Sequence, residues 1–159
     1  MKKILSIKIK KAIDDNPDTS YLGEYSNHRA KFSFDREFLG DMNRGEYQYF
    51  NPYPDPLKGK TQKEKKEMYI WAKHNYERME SLNNGNWCYI GIIAEAEINI
   101  NGVIQRITSG GLNGIESDSG RDYIEEIEKE ELNSLKDQLR DLGFSEKAIN
   151  KTEVIEEVG

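Results

Sequence analysis

The chain has 159 residues, 36% of them hydrophobic and 33% charged, with a formal net charge of −6 and a mean hydropathy of −0.85. That length suits one domain with a thin, two-layer core. No run of apolar residues is long enough to span a membrane, and the single cysteine, Cys88, excludes an internal disulfide or a cysteine zinc cluster.

The opening MKKILSIKIKKAIDD has lysines that interrupt its apolar run too early for a secretion signal. A soluble, cytoplasmic protein is therefore expected. Within ILSIKIKKAI, one register carries Leu5, Ile7 and Ile9 and the other Lys8 and Lys10, which predicts a half-buried strand. DDNPD ends it with turn formers. RAKFSF is a second strand candidate, with Phe32 and Phe34 on one face. In the aromatic stretch that follows, Pro52, Pro54 and Pro56 argue against a helix or a central strand.

TQKE is a capping box, with Thr61 as N-cap and Glu64 at N3. It opens a helix with an apolar stripe of Met68, Trp71, Ala72, Asn75, Met79 and Leu82. WCYIGIIAEAEINI is the clearest strand, placing Cys88, Ile90, Ile92, Ala94, Ala96, Ile98 and Ile100 on one face. Asn101-Gly102 predicts a tight hairpin into VIQRIT, in a register that sets Glu97 opposite Arg106. A long helix then carries Ile124, Ile127, Leu132, Leu135, Leu139 and Leu142 inward, which turns Glu125, Glu126, Glu128 and Asp137 toward solvent. Gly143 and Phe144 give it a Schellman ending. SEKAIN is expected to add one more turn, and KTEVIEEVG looks like a frayed acidic tail. The expected architecture is a single α+β domain over residues 1–145. It has an antiparallel sheet of about four strands with two helices packed on one face, and residues 146–159 form the tail.

SGGLNGIESDSG, residues 109–120, is the segment to weigh for chemistry. It lacks the Gly-Lys-Ser/Thr ending of a phosphate loop and the spacing of a dinucleotide fingerprint. Glu116, Asp118 and Asp122 would also repel a phosphate at the helix start. The same three carboxylates are the hard oxygen donors that Mg²⁺, Mn²⁺ or Ca²⁺ prefers, so they are weak metal candidates. The simpler expectation is a corner in which Ser117 or Ser119 caps the helix while Asp118 and Asp122 complement its dipole. No cofactor is expected.

Cys88 lies in the apolar register of a strand and behaves as a small hydrophobe. His28 and His74 are expected on the surface. Arg44, Tyr47, Tyr49 and Phe50 form an aromatic and basic group that suits a cover over the core, a protein interface or stacked single-stranded bases.

Residues 1–80 carry 16 Lys+Arg against 13 Asp+Glu, and residues 81–159 carry seven against 16. An acidic second half repels nucleic acid and attracts basic surfaces, although a solvated helix face gives the same count.

At RGEYQYFNPYP, WCYIGIIAEAEI, GLNGIESDSGRDYIEEIEKEEL and LKDQLRDLGFS the chain resembles a group of small proteins encoded by phages, plasmids and other mobile elements. The resemblance covers roughly residues 40–145, and GIESDSG-x-x-Y is its most recognisable piece. No catalytic motif defines the group, so no active-site residue carries over. The resemblance implies a context in which small acidic proteins bind host proteins, including restriction and CRISPR effectors.

The leading expectation is a non-enzymatic binding protein, a counter-defence inhibitor of the anti-CRISPR or anti-restriction type. It would present Glu125, Glu126, Glu128 and Asp137 to a basic surface, with Arg44, Tyr47, Tyr49 and Phe50 as further partner-binding candidates. The alternative is a divalent-metal enzyme or nucleotide-binding protein built on Glu116, Asp118 and Asp122.

Overall fold

A computed structural model describes residues 1–36 and 47–159. In chain order the strands β1 (Lys2–Ile13), β2 (Gly23–Ser26), β3 (Phe34–Asp35) and β4 (Tyr49–Pro52) lead through a 3₁₀ turn at Pro56–Lys58 to helix α1 (Gln62–Asn83). Strands β5 (Tyr89–Ile100), β6 (Val103–Thr108) and β7 (Leu112–Glu116) follow, then helices α2 (Arg121–Asp141) and α3 (Glu146–Lys151) and strand β8 (Val154–Val158). The architecture is α+β. It divides into two compact units, residues 1–17 with 87–159, and residues 18–86.

The first unit is built on a five-stranded sheet in the order β6-β5-β1-β8, with β7 also pairing β5. Every pairing is antiparallel except that of β8, which runs parallel to β1. Ile4, Ile7, Ala94, Ala96 and Ile98 turn to one face, where Leu135, Leu139, Phe144 and Ile149 cover them. Ile9, Ile92, Ile115 and Ile127 continue that core. Each such Ile or Leu contributes about 1.5–3 kcal/mol by leaving water. The two helices that cover this sheet are α2 and α3, and α1 belongs to the other unit.

Two local devices set the register. Ile4 pairs with Ile98 but Ser6 with Glu97, so Leu5 is an extra residue in a β-bulge. The bulge brings Ile4 onto the face of Ile7 and Ile9, which simple alternation denies it. Across the Asn101-Gly102 turn, Glu97 pairs with Arg106 as expected, at 3.8 Å. At the other end of β5, Tyr89 is buried in the opposite register, edge-to-face with Trp87 at 4.8 Å.

α2 ends in the expected Schellman motif. Gly143 has φ 91°, Phe144 N–H donates to Leu139 C=O at 3.0 Å, and the Phe144 ring enters the core. Residues 146–159 are not a frayed tail. Ser145 caps α3 by accepting from Ala148 N–H at 3.1 Å, and Val154–Val158 lie against β1. The acids of this segment conceal β-branched residues, and the lysine-bearing β1 offers them an oppositely charged neighbour.

In the second unit β4 is the middle strand of a three-stranded sheet, between β2 and β3. The prolines do not forbid this, because the strand ends at Pro52 and the other two lie beyond it. The strand expected over RAKFSF shrinks to Phe34–Asp35. Thr61 caps α1 as expected, accepting from Glu64 N–H at 3.1 Å. Ala72, Asn75 and Met79 are its buried stripe, and Asn75 donates to Tyr53 C=O at 2.7 Å. Trp71 instead falls on the flank of that stripe and faces outward. Among the described residues, no helix is long and apolar enough to cross a membrane.

Candidate functional site

Ser109 turns the chain from β6 into β7, and both strands pair with β5. Buried Ser109 exchanges backbone and side-chain hydrogen bonds with Ala94: its N–H donates to Ala94 C=O at 2.9 Å, and its Oγ accepts from Ala94 N–H at 2.9 Å. Its hydroxyl also donates to Glu131 Oε1 at 2.8 Å, and Gly111 N–H donates to the same oxygen at 2.6 Å. Glu131 therefore clamps the corner from α2 and is not part of a free acidic face.

The capping expectation at the far end of the segment fails. Ser117 is used in the sheet, with its Oγ accepting from Cys88 N–H at 2.9 Å. Ser119 closes a turn onto Glu116 C=O. The N-cap of α2 is Gly120 at φ 99°, with no side-chain cap, because the chain enters the helix in a conformation that glycine adopts at low cost. Asp122 sits in the first turn, as the dipole argument expects.

Beside this helix start lies a cleft of about 480 Å³, lined by Asp118, Arg121, Glu125 and Glu128, by Lys11 of β1, and by Glu156 of β8. Lys11 continues the inward register of Ile7 and Ile9, and so reaches α2 rather than the opposite face of the sheet. There it forms an ion pair with Glu128, whose residue is 7% exposed. Glu128 is thus not a solvent-facing carboxylate. It follows Ile124 by four residues and lies within the inward stripe. Arg121 pairs with Glu125 at 2.8 Å. Carboxylates exceed cations in this cleft by four to two, so its lining is net negative.

On the other face of the sheet, Lys10 lies between Glu95 at 2.6 Å and Glu157 at 3.8 Å. The hydrogen bond from Lys10 holds the Glu95 carboxyl below the usual range, and the same bond raises Lys10.

Of the remaining candidates, Glu126 is exposed and forms no ion pair among the described residues, and Asp137 is exposed and paired to Arg140 at 2.6 Å. Glu116, Asp118 and Asp122 do not gather: among the described residues no three His, Cys, Asp or Glu side chains could hold a metal ion together. Cys88 is half-buried, and His28 and His74 are exposed.

Arg44 lies outside the described residues. Phe50 is not a partner anchor. It is 0% exposed, packed at 5.2 Å from Tyr25 and 5.3 Å from Tyr76 in the core of the second unit. Tyr49 is half-buried beneath the Arg29 guanidinium, 5.2 Å from its ring centre, and exposed Tyr47 stacks on Tyr25. The organising residue here is one that the sequence reading passed over. Arg36 makes a two-pronged bond to Glu80 at 2.6 and 3.1 Å, donates to Tyr47 C=O at 2.9 Å, and covers the Tyr25 ring at 4.3 Å. Burial, aided by the Glu80 carboxylate, pushes the Tyr25 phenol upward.

No protein-family model, curated protein or solved structure matches this chain.

Proposed function

We propose that this chain is a non-enzymatic accessory protein of a phage or mobile element that binds a basic protein surface in the cytoplasm. In this reading it acts as a counter-defence inhibitor, occupying a surface that otherwise holds nucleic acid. The mobile-element context rests on the resemblance around GIESDSG-x-x-Y. The binding mode is supported by the distribution of charge. The unit formed by residues 1–17 and 87–159 carries 12 Lys+Arg against 18 Asp+Glu, whereas residues 18–86 balance at 11 against 11. The whole net charge of −6 therefore belongs to the unit that contains α2.

Within α2 the outward carboxylates are Asp122, Glu125, Glu126, Glu130, Asp137 and Asp141. Glu126 and Glu130 form no ion pair among the described residues, whereas Glu128 is tied inward by Lys11 and Glu131 by hydrogen bonds from Ser109 and Gly111. A face of this kind raises the association rate with a basic partner and makes that rate salt-dependent.

The test is the association rate with a partner recovered from host lysate, measured at low and high salt. Glu126→Lys with Glu130→Lys should leave the fold intact and slow association at low salt by about tenfold. An unchanged rate would refute the reading.

A further inference from the structure

Among the described residues no strand pairs the outer edge of β8, which lies beside the acidic cleft, and its hydrogen bonding to β1 shows which groups remain available. Gly159 N–H donates to Lys11 C=O at 2.9 Å. In a parallel ladder the residues that bond a given neighbour alternate. Ile155 and Glu157 therefore share the orientation of Gly159, and Val154, Glu156 and Val158 direct their N–H and C=O groups away from β1. Proteins usually protect such an edge by keeping it short or by placing charge, proline or a bulge on it. β8 is five residues long, has no proline or lysine, and is guarded by the negative charge of Glu156 and Glu157, which an acidic strand meets as repulsion and a basic strand neutralises. The opposite edge of the sheet, by contrast, is broken where β6 bends into β7.

We propose that this edge accepts an extended segment of the partner that carries lysine or arginine at alternate positions, added as a strand beyond β8. The inference rests on the protein-binding reading above and names the site and the partner element. Charge selects the occupant. Glu156 pairs in register with Ile9 and so faces the cleft with Asp118, Glu125 and Glu128, while Glu157 lies on the opposite face. A strand laid along β8 would place one set of its side chains at the mouth of the cleft and the other set beside Glu157. The chain already contains this arrangement on the inner edge of β8, where the lysine-alternating β1 reaches Glu157 with Lys10 and the cleft with Lys11. A second copy of β8 is a poor occupant, because antiparallel pairing centred on Glu156 would set that carboxylate against itself.

The experiment uses the full ¹⁵N-labelled chain and a synthetic ten-residue peptide alternating lysine and valine, with a glutamate–valine peptide as control. Strand addition should slow amide exchange at Val154, Glu156 and Val158 at least tenfold, and only the lysine peptide should cause it. Glu156→Pro removes an outward N–H and leaves the β1 ladder complete. It should abolish the protection at Val154 and Val158, whereas Glu156→Gln should weaken binding only a few-fold. Should Glu156→Pro unfold β8, Glu156→Lys replaces it and should shift the preference toward the glutamate peptide. Lysine-peptide binding that leaves exchange at Val154 and Val158 unchanged would overturn the proposal, as would equal binding of both peptides or no saturable binding. If that binding is also lost in Glu126→Lys/Glu130→Lys, the α2 reading survives without the edge. Edge protection alongside an unchanged association rate in that double variant would have the opposite meaning.

Discussion

Lys11 of β1 and Glu128 of α2 join strand to helix through one buried ion pair at the floor of the acidic cleft. The carboxylate is nearly sealed from water, while the lysine side chain keeps 24% of its exposure. Removing one member of such a pair is far costlier than replacing both by apolar groups. Lys11→Met should therefore lower the unfolding free energy by about 3 kcal/mol. Lys11→Met with Glu128→Leu should recover most of that loss. Urea denaturation of the two variants checks this, and equal stabilities would show that the pair is not coupled.

Glu131 should be the most sensitive of the α2 glutamates outside that pair. Its Oε1 accepts from Ser109 Oγ and from Gly111 N–H. Glu131→Ala should cost about 2 kcal/mol by leaving those donors unsatisfied in the bend. Glu126→Ala should be nearly neutral. Faster amide exchange at Gly111 in the Glu131 variant would locate the damage.

Arg36→Lys should destabilise residues 18–86 although it preserves the charge. A lysine cannot reproduce the two-pronged bond to Glu80 while also covering Tyr25 and donating to Tyr47 C=O. The expected loss is about 2 kcal/mol, read from the thermal transition and from the near-ultraviolet signal of the tyrosines. A variant with wild-type melting would show that the packing there does not depend on the guanidinium.

The Lys10–Glu95 pair predicts a pH window. Glu95 is lowered from about 4.5 in the fold, so its contribution is full above that value and is lost as pH falls through the folded value. Lys10 is raised from about 10.5, so its contribution is full below that value and is lost as pH rises through the folded value. The pair thus supports the fold between those limits. Glu95→Gln should flatten the acid limb of the stability curve and leave neutral-pH melting only slightly changed, as expected for a pair with a partly exposed lysine. An acid limb identical to wild type would assign acid unfolding to other carboxylates.

Elements that depend on local pattern were legible in the sequence. The hairpin register followed from Asn101-Gly102, the α1 cap from Thr61 and Glu64, and the α2 ending from Gly143 and Phe144. Features that depend on pairing between distant residues were not. The bulge at Leu5 appears only when β1 is laid against β5, and β8 needs β1 to become a strand. The roles of Glu128 and Glu131 were written in the helical period, since 124, 128, 131 and 135 form one stripe. Their charge argued for solvent because no lysine on a neighbouring strand, and no bend needing a clamp, was yet in view. Phe50 reads as a surface aromatic beside prolines until the rings of Tyr25 and Tyr76 close over it.

The strands β1 and β5 lie side by side, with Asp14 N–H donating to Tyr89 C=O at 2.9 Å, yet the chain makes an excursion through residues 18–86 between them. Joining strands across such a length is entropically harder than through a tight turn, by roughly 2.5 kcal/mol for about four doublings of a short loop. A unit that gathers around Phe50 and Arg36 on its own shortens the effective tether to its two flanking linkers. Consolidation of residues 18–86 should therefore speed the union of β1 with β5. A core lesion such as Arg36→Lys should then slow formation of a sheet that Arg36 does not belong to, as read by stopped-flow refolding.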